Sequence, residues 1–320
     1  MLTMFSVPKA FQGHISIIQR NAIRSWTQLR PHCEIVLFGN EQGTAEAARE
    51  FGLRHVSEIA HNEYGTPLLH DVFTKAQNLA AYDLLCYVNA DIMLTGDIIR
   101  STRYVANKKR KFLIVGQRWN VNLDRPWAFS YDWEARLCAY VRERGELFSR
   151  AAIDYFIFPR GLFGTIPPFA IGRTAWDNWL IYRARKNMAA VVDATELIMA
   201  IHLNHEYGNF PGREALWNSQ EARSNRALMG PGAFILDDAT HVLRRDGLHF
   251  AWAMRQLPWH LRRLSILFPR SRVLLCSSAH VLDRLLGCSR LRMAIRAVLR
   301  RERGARESNK ALHERGLECP

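Results

Sequence analysis

A chain of 320 residues, 48% hydrophobic and 23% charged, has enough apolar material for a large core, which excludes wholesale disorder. The net charge of +14 is unevenly placed: residues 241–320 carry 17 Lys and Arg against 6 Asp and Glu, the rest 27 against 24. A nearly neutral body speaks against nucleic acid as a partner, and the basic tail suits an anionic surface.

Taken in order, Leu2 to Val7 reads as a strand ending at Pro8-Lys9, followed by a helix from about Ile15 to Leu29 that stops before Pro31. Glu34 to Phe38 is a second strand, Thr44 to Phe51 a helix with Gly52 as its cap, and Leu53 to Val56 a short third strand. A helix from about Leu68 to Ala81 leads to the apolar run Leu84 to Val88, a strand buried on both faces. This alternation over about 90 residues predicts an α/β fold with a doubly wound, mostly parallel sheet. No GxGxxG follows the first strand and no GxxxxGK[ST] occurs, so neither a dinucleotide fold nor a P-loop NTPase is supported.

The apolar run stops at Asn89-Ala90-Asp91, and ligands of open α/β sheets sit beyond the carboxyl ends of strands. A carboxylate there can hold a divalent cation against a substrate phosphate; the plainer reading is a turn or helix cap. Lys75-Ala76-Gln77-Asn78, the strand, and Asn89-Ala90-Asp91 together resemble the helix–strand–DxD passage of GT-A-type glycosyltransferases. With Gln19 to Trp26 and Val88 to Ile92, the chain is similar from about residue 2 to 250 to a little-characterised GT-A-like group. The resemblance implies that Asp91 ligates Mn or Mg, that Asn89 meets ribose or sugar, and that Lys75 and Asn78 belong to the nucleotide-sugar site. Asn89 departs from DxD, since a carboxamide bonds a hydroxyl but supplies no charge.

Beyond Asp91 a helix is expected near Ile98 to Ala106 and a strand over Lys111 to Gln117, with Lys108 to Lys111 a solvated cluster. The Trp- and Asn-rich segment Trp119 to Arg136 suits a sugar and suits core packing equally. Asp154 leads the aromatic run Tyr155 to Phe158, which places its carboxylate at a sheet rim. Asp177 lies near the start of a helix running to about Arg185; the resemblance makes it the base that deprotonates an acceptor hydroxyl, and a capping role is the alternative. Asp154 is the second candidate base. Val191 to Thr195 is a strand or helix entry, and His202 or His205 after it is a candidate metal ligand. Asp237 and Asp238 read as cap or turn residues, and from about Phe250 the tail reads as basic helices, with Arg292, Arg296 and Arg300 in an interfacial pattern.

The expected organisation is a catalytic domain over 1–240, with a nucleotide half (1–91) and an acceptor half (92–240), then a basic helical tail over 241–320. The expected activity is glycosyl transfer from a nucleotide-diphosphate sugar donor to a glycan or glycolipid hydroxyl, in polysaccharide or related synthesis. Two rivals stay open: a catalytically silent GT-A-like binding domain at a membrane surface, and a sugar-phosphate nucleotidyltransferase. Scattered cysteines, no secretory signal and no run of ~20 apolar residues lead to an expected cytoplasmic location, with an inner-membrane surface within reach of the tail.

Overall fold

The computed structural model describes residues 1–205, 213–230, 233–251 and 257–287. They fall into two compact units, Met1–Ala251 and one beginning at Trp252.

The first unit is built on a nine-stranded sheet. In chain order its strands are β1 (Leu2–Ser6), β2 (Glu34–Phe38), β3 (Arg54–Val56), β4 (Leu84–Val88), β6 (Phe112–Val115), β9 (Tyr155–Pro159), β10 (Ala190–Asp193), β12 (His241–Arg244) and β13 (Gly247–Phe250). Their spatial order is β13-β12-β10-β6-β9-β4-β1-β2-β3. Most neighbours are parallel; β9 is antiparallel to β4 and β6, and β13 to β12. Four further strands, β5 (Ile92–Met93), β7 (Arg118–Val121), β8 (Glu146–Leu147) and β11 (Ala200–Leu203), form a small sheet in the order β5-β11-β7-β8.

The helices of this unit are α1 (Gly13–Thr27), α2 (Thr44–Phe51), α3 (Leu69–Leu79), α4 (Asp97–Lys108), α5 (Trp133–Arg144), α6 (Trp176–Lys186), α7 (Arg213–Asn218) and α8 (Gln220–Met229). Alternation along the central strands sends side chains to two covered faces. Leu2, Met4, Cys86 and Val88 join Ile18, Ala22, Ile23 and Trp26 of α1 in one apolar cluster. On the other face Phe5 and Tyr87 meet Phe73 of α3 with ring centroids 5.1 and 5.5 Å away, and Tyr87 meets Trp176 of α6 at 5.4 Å. The continuous apolar run of β4 is thus explained by burial on both sides.

The expected fold class holds, and Gly52 does cap α2 in the left-handed region at φ 66°. The stretch 241–250, assigned by composition to the tail, instead forms β12 and β13 at the edge of the sheet. Its two arginines sit at a hairpin turn, Arg244-Arg245-Asp246-Gly247, so they raised the basic count without marking a helix.

In the second unit, α9 (Leu257–Leu267) packs against α10 (Arg272–Gly287), and Arg262 ion-pairs with Asp283. Val273, Leu274, Val281 and Leu285 of α10 are exposed. The expected arginine pattern at 292, 296 and 300 lies outside the described residues. No helix among the described residues is long and apolar enough to cross a membrane.

Candidate metal and active site

Asp91 stands three residues past β4 and directly before β5, and strand pairing brings the histidines to it. β11 pairs antiparallel with β5 so that His202 faces Ile92, and the Leu203 amide donates to the Asp91 carbonyl at 3.1 Å. His205 follows the end of β11, its Nε2 3.0 Å from Asp91 Oδ2, while His202 Nε2 lies 3.7 Å from the same oxygen. One ligand atom from each of Asp91, His202 and His205 falls within 4.8 Å of the others.

The position of Asp91 is fixed from behind by α1. Trp26, fully buried, donates its indole N–H to the Ile92 carbonyl at 2.8 Å, and the Ser25 hydroxyl accepts the Leu94 amide at 3.0 Å. β5 is only two residues long, so these side-chain bonds hold it where a longer ladder would otherwise do so.

Electrostatics favour an ionised Asp91. Burial alone would raise its pKa, but the neighbouring His202, the hydrogen bond with His205 and the charge of Lys9 outweigh it and hold the carboxyl well below its usual range. Burial pushes the His202 pKa down against the pull of Asp91, which keeps that imidazole neutral and able to ligate.

The residues present fit a divalent cation. Asp91 Oδ1 and His202 Nδ1 are buried side-chain atoms with no hydrogen-bond partner among the described residues. A buried carboxylate oxygen left open beside two imidazoles is what a cation would satisfy. The mixed oxygen and nitrogen donors suit a first-row metal such as Mn, whereas Mg favours oxygen alone.

Asn89 and Asp154 share this rim because β9 is reversed. A strand antiparallel to β4 begins where β4 ends: Tyr155 pairs with Val88, and the Asn89 amide donates to the Asp154 carbonyl at 3.0 Å. The Asn89 carboxamide then donates to Asp154 Oδ1 at 2.6 Å, and Arg118 to Oδ2 at 2.7 Å. Asn89 therefore spends its amide N–H on a neighbouring carboxylate, which an aspartate at that position would repel. Arg118 also lies over the Phe148 ring at 4.5 Å.

Asp177, in the first turn of α6 after the left-handed Ala175, is half-buried. Burial first, then the charge of Asp154, pushes its pKa up to about 7, against a downward pull from the nearby backbone of Asn178 and Ile153. Among the described residues no side chain caps the start of α6; Asp177 lies in its first turn, where a negative charge complements the helix dipole.

Two expected site residues are not brought to Asp91. The Lys75 ammonium is engaged by Asp71 at 2.9 Å and the Glu58 carbonyl at 2.8 Å. Asn78 borders a hollow with Thr74, Gln77, Arg160 and Gly161. Arg160 follows β9, and its amide bonds the Asp83 carbonyl just before β4, so Asn78 lies at the opposite end of that strand from Asp91. A five-residue strand puts the two ends ~16 Å apart. The cause is direction: α3 runs back along β4, so its last turn meets the strand's start.

Two residues that join the site went unremarked in the sequence. Lys9 places its ammonium 3.3 Å from His205 Nε2, and Arg118 holds Asp154. A signal for Lys9 existed: counting on from the paired Phe5 and Tyr87, Lys9 and Asp91 each come four residues later. The Trp-rich segment packs into the core: Trp133 belongs to the buried apolar cluster with Trp119, Trp127 and Phe129 against it, Trp127 meeting Tyr140 at 5.8 Å and Phe129 meeting Trp133 at 4.9 Å. Asn21 anchors it, donating to the Arg125 carbonyl and accepting the Trp127 amide. Asp238 caps its turn by accepting the Ile235 amide at 2.9 Å, and Asp237 pairs with Arg150.

No family model and no curated protein matches this chain. Among solved structures it is similar to S. aureus TarS 1-349 in complex with UDP-GlcNAc, at 12% identity over 88% of each chain and a TM-score of 0.44. It is similar to mannosyltransferase PcManGT from Pyrobaculum calidifontis in complex with GDP-Man and Mn2+, at 13% identity, over 91% of this chain and 82% of that one, with a TM-score of 0.42. A third is M. tuberculosis glucosyl-3-phosphoglycerate synthase, at 15% identity, 72% and 79% coverage, and a TM-score of 0.43. Another TarS 1-349 structure is matched over 58% of its length, with a TM-score of 0.39. Each of these TM-scores is below 0.5, so activity has to be read from this chain's own side chains.

Proposed function

We propose that this chain is a divalent-cation-dependent glycosyltransferase that moves a sugar from a nucleotide-diphosphate donor to an acceptor hydroxyl. The observation that carries the reading is the rim beyond β4. There Asp91, His202 and His205 converge, with one Asp91 oxygen lacking a partner among the described residues, and Lys9 adds a cation beside them.

Asp91, His202 and His205 would hold the metal, with the imidazoles favouring Mn over Mg. When bound, the cation would neutralise charge on the departing nucleotide diphosphate. Asp177 accepts the acceptor's hydroxyl proton: a carboxylate with a pKa of about 7 is half ionised at neutral pH and is a stronger base than an ordinary aspartate. Asp154, the other candidate base, has both oxygens occupied by Asn89 and Arg118 and acts by fixing the rim and raising the pKa of Asp177. Deprotonation of the acceptor by a protein carboxylate goes with direct attack and inversion at the anomeric carbon.

The test is calorimetry with UDP and GDP in the presence and absence of Mn, followed by a turnover screen of nucleotide sugars. Mn-dependent nucleotide binding and sugar release support the transferase. A folded protein that binds neither nucleotide belongs instead to the silent binding domain. The nucleotidyltransferase has less support, since Val7 to Gly13 lacks the glycine- and arginine-rich loop that chemistry uses.

The second unit supports a peripheral position on the cytoplasmic leaflet and a lipid-linked or surface glycan acceptor. Residues 252–320 carry 15 Lys and Arg against 5 Asp and Glu, and α10 exposes Val273, Leu274, Val281 and Leu285. Basic charge and an apolar stripe together suit an anionic bilayer. Co-sedimentation with phosphatidylglycerol vesicles but not phosphatidylcholine vesicles is the expected result.

A further inference from the structure

Lys9 brings a basic side chain into contact with the metal-ligand cluster, and the fold holds its backbone in place. Gln19 of α1, 2% exposed, spends both ends of its carboxamide on the Lys9 backbone: its oxygen accepts the Lys9 amide at 2.7 Å, and its nitrogen donates to the Lys9 carbonyl at 2.8 Å. A buried glutamine used this way fixes where the side chain departs. The side chain itself is exposed, so its ammonium stands at the mouth of the site, 3.3 Å from His205 Nε2.

That nitrogen has one position to offer, a lone pair or a proton. Toward Lys9 it accepts; toward Asp91 Oδ2, 3.0 Å away, it donates. A metal needs the lone pair. Either tautomer must therefore give up a contact before His205 can ligate, and a resident ammonium repels an incoming divalent ion as well.

We propose that Lys9 is the diphosphate-facing cation of this site and that it makes cation and diphosphate binding interdependent. Without nucleotide, its ammonium lies against His205 and weakens divalent binding. An anionic diphosphate at the carboxyl ends of β1 and β4, where ligands of open α/β sheets sit, draws the ammonium away and uncovers the imidazole. Lysine suits this task because it is a mobile point charge, whereas arginine's planar fork fixes its geometry.

The inference rests on the nucleotide-sugar reading, and the experiment separates the two. Mn binding to the wild type and to Lys9→Met and Lys9→Arg is measured by calorimetry without nucleotide, then UDP, GDP and inorganic pyrophosphate are titrated into the Mn-saturated proteins. Lys9→Met is expected to bind Mn alone several-fold more tightly, roughly three- to tenfold after solvent screening, with Lys9→Arg near wild type. The same variant is expected to bind pyrophosphate and nucleotide about tenfold more weakly at saturating Mn. Unchanged or weaker Mn binding by Lys9→Met overturns the counter-cation role, and unchanged pyrophosphate binding overturns the diphosphate contact. Failure of the Mn-loaded wild type to bind UDP or GDP while the Mn shift is present overturns the transferase reading and leaves the counter-cation role standing.

Discussion

His205 Nε2 lies 3.0 Å from Asp91 Oδ2, although 114 residues separate the two along the chain. The contact depends on β11 pairing with β5 in the register that sets His202 against Ile92. A slip of one residue would turn every side chain of β11 to the other face and remove His202 from Asp91.

Asp91→Asn keeps the size of the side chain and removes its charge. Mn affinity is expected to fall roughly 100-fold or more, because the one carboxylate of the donor set is gone. Sugar transfer is expected to fall with it. Calorimetry with Mn and a thermal melt on the same sample check that the loss is local.

Asp177→Asn is expected to lower kcat/KM by about 10²- to 10⁴-fold and to abolish the rising limb of the pH–rate profile near 7. Stability supplies a second readout. The folded pKa is above the unfolded value, so the stability it contributes is present below about pH 4 and is lost as pH rises through about 7. The wild-type Tm is therefore expected to decline across that window, and the asparagine variant to decline less. A wild-type Tm equally pH-dependent in both proteins would contradict this role for Asp177.

Arg118→Met leaves the Asp154 carboxylate without its cation in a pair whose side chains are 13% and 8% exposed. Breaking such a pair from one side costs about 3–5 kcal/mol. Urea unfolding measures it, and adding Asp154→Asn to the same chain is expected to recover part of the loss.

Trp26→Phe removes the indole N–H together with several buried ring atoms, leaving the Ile92 carbonyl without this donor and a small cavity beside it. The expected cost is about 1–3 kcal/mol in urea unfolding. Because Ile92 directly follows Asp91, Mn affinity is expected to drop as well, by a few-fold. A stability loss with unaltered Mn binding would mean that β5 is positioned by other contacts.

Much of this was legible in one dimension. The unbroken apolar run Leu84 to Val88 determined a doubly buried strand, because only a strand covered on both faces tolerates no polar alternation. Alternation of strands and helices over the first 90 residues determined a mostly parallel sheet, and a carboxylate following a buried strand marked the rim at which the two histidines converge. Tertiary structure decided the rest. The reversal of β9 set Asp154 beside Asn89 and paired it with Arg118, and the return of α3 along β4 took Asn78 to the far end. The β11–β5 register joined both histidines to Asp91, and Gln19 fixed Lys9 at the mouth of the site. The physical reason is that periodicity reports which faces of an element are buried, whereas strand direction and register between distant segments are settled by packing the whole sheet at once.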